Sequence, residues 1–312
     1  MSQTQLEYAY SRKVLASYKN PLLVGTDILP ILTVVDEKVG FFNFSSTSNI
    51  IPAGVKREAG AAVAEFTKGT FTTDKIELEE RSGYRTMDVQ EIAAMKSNAK
   101  QGGLSVNYKM LIAKEALSQL ELNKEKDIAD ALQATANYTH TNHATPSAKW
   151  DTTSGDPIGD IDTAMDIVKS KIGIAPNVAW MSDGVWSVLK RNAKILDLLK
   201  TTVDKRFTTE WLASYLGLDK IIVGAANYAT SIGSDSKTAI WGKNFGLCYI
   251  NTQMNSTEAP TFGATVQHID LTQTFVFEEK EFGKITNVCS TQFYNPAILQ
   301  DQAGYLWTAV IS

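Results

Sequence analysis

The stretch that decides the fold runs GIAPNVAWMS (173–182) and continues as DGVWSVLKRNAKILDLLK (183–200). Pro176 and Asn177 break the chain before VAWMS, a short continuous apolar run that reads as a buried strand. Ser182 or Asp183 then supplies an N-cap for a helix over 183–200. Further on, TTEWLASYLGL (208–218) repeats the pattern, with a cap at Thr208 or Thr209 and a stop near Gly217, and KIIVG (220–224) reads as a second buried strand. Upstream, IGDIDTAMDIVKSKIG (158–173) sets Ile158, Ile161, Met165 and Val168 on one helical face. AIWGKNFGLCYI (239–250) reads as a further strand pair, and 268–299 as two or three strands rich in β-branched and aromatic residues. The class is α+β.

Working outward, 139–157 is rich in Thr, Ser, Asn and Pro and makes the best internal boundary. Residues 90–139 are helical in character. Met110, Leu111, Ala113, Leu117 and Leu120 follow a 3.6 period, and Ile128, Ala131, Leu132 and Tyr138 share a face. Glu125-Lys126-Asp127 reads as the charged start of a long amphipathic helix. Before it, FTTDKIELEERSGYRTMDV (71–89) alternates Ile76 and Leu78 against Thr73, Lys75, Glu77 and Glu79. With a turn at Ser82-Gly83, this predicts a two-stranded hairpin within 54–88 that carries few large apolar residues. Such a ribbon is marginal alone and makes sense against a neighbouring subunit. Residues 1–20 are polar with spaced apolar side chains, among them Tyr8 and Tyr10, and read either as an arm that lies on another subunit or as a frayed terminus.

Composition narrows the function. The chain has 312 residues, 44% hydrophobic and 21% charged, which excludes wholesale disorder. A formal net charge of −4, with only short basic pairs such as Arg12-Lys13, Lys56-Arg57 and Lys190-Arg191, argues against tight nucleic-acid binding. The N-terminal residues lack the apolar core of a signal peptide, and no run of ~18 apolar residues suggests a membrane span. Cys248 and Cys289 lie in apolar, strand-like stretches and read as buried free thiols.

Catalytic chemistry has no constellation to stand on. His140, His143 and His268 lack clustered metal ligands around them. Neither G-x-S-x-G, nor G-x-x-x-x-G-K-[ST], nor G-x-G-x-x-G occurs. Glu79-Glu80 and Glu278-Glu279 read as solvated surface. The six tryptophans (150, 180, 186, 211, 241, 307) sit singly in apolar segments and read as core or subunit contacts. No catalytic, cofactor-binding or metal-binding residue is assigned.

Taken in order, WDTTSGDPIGDI (150–161), GIAPNVAWMS (173–182), VWSVLKRNAKI (185–195), TTEWLASYLGL (208–218) and IIVGAA (221–226) resemble the tailed-bacteriophage major capsid proteins of the Hong Kong 97-type fold. The resemblance implies an N-terminal arm at 1–40, an extended loop with its flanks at 41–88, and a peripheral domain with a long spine helix at 89–156. It further implies an axial domain at 157–270 and return strands of the peripheral domain at 271–312. It implies pentamers and hexamers that close an icosahedral shell around double-stranded DNA, contacted weakly and non-specifically. A virion capsid assembled in the host cytoplasm follows, with a portal and possibly scaffolding or decoration proteins as partners and no membrane.

An arm that begins almost at once suggests a separate scaffolding protein, or none. Tyr8, Tyr10, Phe66, Phe71, Ile76, Leu78 and Tyr84 are the candidate inter-subunit contacts. The loop lysines Lys56, Lys68 and Lys75 match no cross-linking motif, so that chemistry is not carried over. Two rivals stand beside this reading: an encapsulin-type nanocompartment shell and a soluble α+β enzyme.

Overall fold

A computed structural model describes residues 21–44, 71–87, 90, 93, 108–200, 206–231, 236–251, 261–271, 273–279 and 285–312. Gly25–Ile28 forms a short helix, α1, followed by strands β1 (Ile31–Val34), β2 (Lys38–Phe44), β3 (Phe71–Glu77) and β4 (Glu79–Met87). The long helix α2 spans Tyr108–Gln133; its 26 residues give a rod about 39 Å long at 1.5 Å per residue. After β5 (His143–Ala144) come α3 (Pro157–Ile172), β6 (Val178–Ser182), α4 (Asp183–Leu189), α5 (Ala193–Lys200) and α6 (Thr209–Leu216). The remaining strands are β7 (Lys220–Gly224), β8 (Asn227–Ala229), β9 (Lys237–Ala239), β10 (Phe245–Cys248), β11 (Gly263–His268), β12 (Gln273–Glu279), β13 (Ile285–Ile298) and β14 (Gly304–Trp307).

Two five-stranded sheets organise these elements. One runs in the order β5-β14-β10-β6-β7. Its strand β6 is buried at every position, as the apolar run VAWMS requires. Close packing here depends on residues without a Cβ: a side chain at Gly246 of β10 would sit 2.3 Å from the Trp180 ring. Trp180 in turn packs on Trp241 with ring centroids 5.6 Å apart. The second sheet is built on β13, fourteen residues long, with β11 and β12 paired along it and β4 running antiparallel from Tyr294 to Thr286. Strand β1 extends it by parallel pairing to β11.

The helix ends follow the caps in the sequence. Ser182 Oγ accepts from Val185 N, and Thr208 Oγ1 accepts from Trp211 N. Gly217 closes α6 with φ +70°, a left-handed position that suits glycine. Asp156 caps α3, with Pro157 in its first turn.

Several expectations need correcting. The stretch 183–200 is two helices, because Asn192 interrupts it: its Oδ1 accepts from Lys194 N and its Nδ2 donates to Trp150 O. Glu125-Lys126-Asp127 lies inside α2, which starts near Tyr108, and does not open a helix. Ser82 and Gly83 form no turn but lie mid-strand in β4, opposite Thr291 and Ser290 of β13. The hairpin partner of β3 is β2, in register from Lys38↔Glu77 to Phe44↔Phe71. Strands β9 and β10 do not pair with each other; β9 pairs with β8. Cys248 is buried as expected, whereas Cys289 is only partly buried. The tract 139–157 is tied into the first sheet: His143 pairs with Leu306, and Trp150 is almost fully buried.

Candidate assembly site at the root of the extended loop

The β2–β3 ribbon is a sheet of two strands. It has one small apolar anchor, where Leu78, Val266 and Ala297 are buried and Val34, Val39, Phe41, Ile76 and Leu299 pack around them. Leu78, between β3 and β4, donates its N–H to Glu37 O. Its side chain is buried among residues of its own chain. Beside it an open groove of about 490 Å³ is lined by Lys75, Ile76, Glu77, Glu79 and Asn295 among others. The ion pair Lys38–Glu77 (2.9 Å) crosses the ribbon in solvent, where such pairs add little.

From Leu78 the chain enters β4, which is riveted to the spine helix α2 through β13. Tyr294 Oη donates to Asp127 Oδ2 at 2.8 Å and accepts from Asn123 Nδ2 at 3.2 Å. Arg81 Nε reaches the same Asp127 oxygen at 3.3 Å, and its Nη1 meets Glu79 at 2.6 Å. Gln292 Nε2 donates to Glu121 Oε1 at 2.7 Å, which also receives the nearly buried Lys124 ammonium at 3.0 Å. Lys124 and Arg81 both lie over the Tyr294 ring, at 5.4 and 5.9 Å. Arg85 of β4 pairs with Glu115 of α2. Burial, then the Asp127 hydrogen bond, raises the Tyr294 phenol well above its ordinary pKa, so it stays a donor.

A second polar junction joins the start of the described chain to the spine. Glu125 accepts from Val24 N (3.1 Å), Gly25 N (2.7 Å) and Trp241 Nε1 (2.9 Å). One carboxylate thereby links the segment entering α1, the spine helix and the first sheet. Desolvation raises its pKa above the ordinary value, with the three N–H donors pulling the other way.

The sequence candidates distribute unevenly. Tyr8, Tyr10 and Phe66 lie outside the described residues. Phe71 opens β3 opposite Phe44. Ile76 is half-buried at the groove and Tyr84 stands exposed on β4 opposite Cys289, its side chain 74% open. Among the described candidates, Ile76 and Leu78 are brought together. Glu121, Lys124, Glu125 and Asp127 were missed as site residues. Their signal lay in the period itself: continuing the stripe Leu117, Leu120, Ile128 through 121, 124 and 125 places charged side chains on the inward face of α2.

No family model matches the chain. It is 24% identical over 300 residues to the major capsid protein of Burkholderia phage BcepMu, covering 90% of this chain and 96% of that one. In structure it is similar to a phage-related protein of Bordetella bronchiseptica RB50, with a TM-score of 0.72 at 20% identity over 96% of both chains. The capsid structure of cyanophage P-SCSP1u aligns with a TM-score of 0.54 at 10% identity, over 89% of this chain and 85% of that one. The chain has the Hong Kong 97-type fold of phage capsid proteins. Its role is that of a capsid shell subunit, a structural part and not a catalyst. The encapsulin-type alternative is not favoured, since the curated relative is a phage capsid protein. In this capsid protein Leu78, the β4 contacts and the Glu125 junction tie β3, β4 and the Val24–Gly25 segment to α2, β13 and Trp241. Among the described residues no helix is long and apolar enough to cross a membrane.

Proposed function

We propose that the capsid protein forms five- and six-membered rings that close into an icosahedral shell around double-stranded DNA inside the host cytoplasm. The loop of each subunit lies across its neighbour. The supporting observation is the β2–β3 ribbon, whose described part has no sheet partner and only the Leu78 cluster as a core. Two-stranded ribbons gain stability from a third surface, and a neighbouring copy supplies one. On this reading Leu78 anchors the loop from inside, while Ile76, Phe71, Phe66 and Tyr84 face the neighbour, and Tyr8 and Tyr10 belong to an arm with the same task.

Contact with DNA is weak and non-specific, in keeping with a net charge of −4. A portal, and a scaffolding or decoration protein, complete the particle. We divide the body into an axial unit, 143–144 with 157–250 and 304–307, and a peripheral unit built on α2 and β13.

Size-exclusion chromatography with negative-stain microscopy of the expressed chain tests the proposal. Closed shells or isolated rings are expected; a stable monomer at high concentration would sink it. Nucleic acid inside purified particles is expected as well, and a co-purifying enzyme cargo would overturn that part.

A further inference from the structure

Away from the loop, four aromatic rings stack in a row across the outer side of α4 and α6. Trp186 stacks on Phe207 (4.7 Å between centroids), Phe207 leans on Trp211 (5.7 Å), and Trp211 stacks on Tyr215 (5.4 Å). The row grades from buried Trp186 to half-exposed Tyr215. A core needs no such gradient, and rings ordered in this way present a rigid apolar strip at little entropic cost. The strip is flanked by cations. Lys190 lies over the Trp186 ring at 5.2 Å, and Arg191 and Arg206 are exposed beside it. The nearby acid, Glu210, is engaged with the hydroxyls of Thr208 and Thr209 at the start of α6.

The complementary charge lies elsewhere on the same unit. Asp162 and Asp166, one turn apart on the exposed side of α3, form no ion pair among the described residues. Like charges at this spacing repel. Partial burial, and then Asp166 and Asp156, hold the Asp162 carboxyl above its ordinary pKa. Helix α3 packs on β14, whereas α4 and α6 pack on β6 and β7, toward the other end of the sheet order β5-β14-β10-β6-β7. Among the described residues the cations of the strip form no ion pair with this acidic pair inside the chain. They can meet between two copies placed head to tail, the contact type that closes rings.

We infer that the Trp186–Tyr215 strip with Lys190 and Arg191 docks on the Asp162–Asp166 side of α3 of a second copy, forming the ring contact of the axial unit. The inference rests on the ring-forming reading above and adds the surfaces that meet. Aromatic rings and arginine are the side chains most often found to dominate such contacts.

Charge reversal tests it on the full chain. Lys190→Glu with Arg191→Glu, and separately Asp162→Lys with Asp166→Lys, each lower the assembled fraction about tenfold on size-exclusion chromatography, with an unchanged circular dichroism spectrum. The chain carrying all four reversals recovers assembly to within about twofold, since the interface charges are again opposed. Normal assembly of either reversed chain, or no recovery in the combined one, overturns the inference. Should a reversed chain fail to fold, Tyr215→Ser serves, as it trims a half-exposed ring. It too lowers assembly, and assembly at the wild-type level would overturn the contact. Wild-type chains that form no rings at all would sink the proposed function itself, which separates the two failures.

Discussion

Gly246 occupies a position where a methyl group would lie 2.3 Å from the indole of Trp180, inside a sheet with no slack. Gly246→Ala should therefore cost about 1–3 kcal/mol by overpacking, read as a lower urea midpoint at an unchanged m-value. Tyr294 poses the opposite case, a buried hydroxyl joining two partners. Tyr294→Phe leaves Asp127 and Asn123 short of a partner and should cost about 1–2 kcal/mol in the same measurement. Glu125 carries a pH signature. Its folded pKa is raised, so the folded state holds the proton more tightly. Its contribution is then greatest below the unfolded value of about 4.3 and declines as pH rises through the folded pKa. The stability of wild type minus that of Glu125→Gln should fall as pH rises from acid to neutral; a rise with pH would refute the assignment. None of these three sites was visible in advance, because each needs a partner far away in the chain, such as Trp241 for Glu125 at a separation of 116.

Elements were legible where the signal is local. VAWMS, KIIVG, the Ser182 and Thr208 caps and the Gly217 stop all stand where the pattern put them, since each depends on neighbours within four residues. Pairing was not. Alternation at 71–80 gave a strand, but the turn read at Ser82-Gly83 assigned it the wrong partner, and the real partners of β3 and β4 are β2 and β13. Asn192 broke a helix for the sake of Trp150, forty-two residues back. The loop root makes the testable case at this scale. Charged residues at Ile76 and Leu78 remove the apolar anchor, and particles should fail to form while the axial unit keeps its far-ultraviolet spectrum. Particles at normal yield would show that the ribbon is no clamp. Thr208→Ala should cost about 1 kcal/mol through loss of a cap, read as a lower urea midpoint.

At the scale of the molecule, strand β14 lies between β5 and β10 and is buried throughout. Removing 304–312 should unfold the first sheet and not merely trim an end, giving insoluble chain or loss of the cooperative transition in circular dichroism. The same placement bears on synthesis. Thr145, next to β5, bonds to Thr308 across 163 residues. At about 5–20 residues per second the ribosome needs roughly ten to thirty seconds to deliver that partner. Until then the first sheet lacks the strand that joins β5 to β10. A chain still on the ribosome therefore has no finished first sheet.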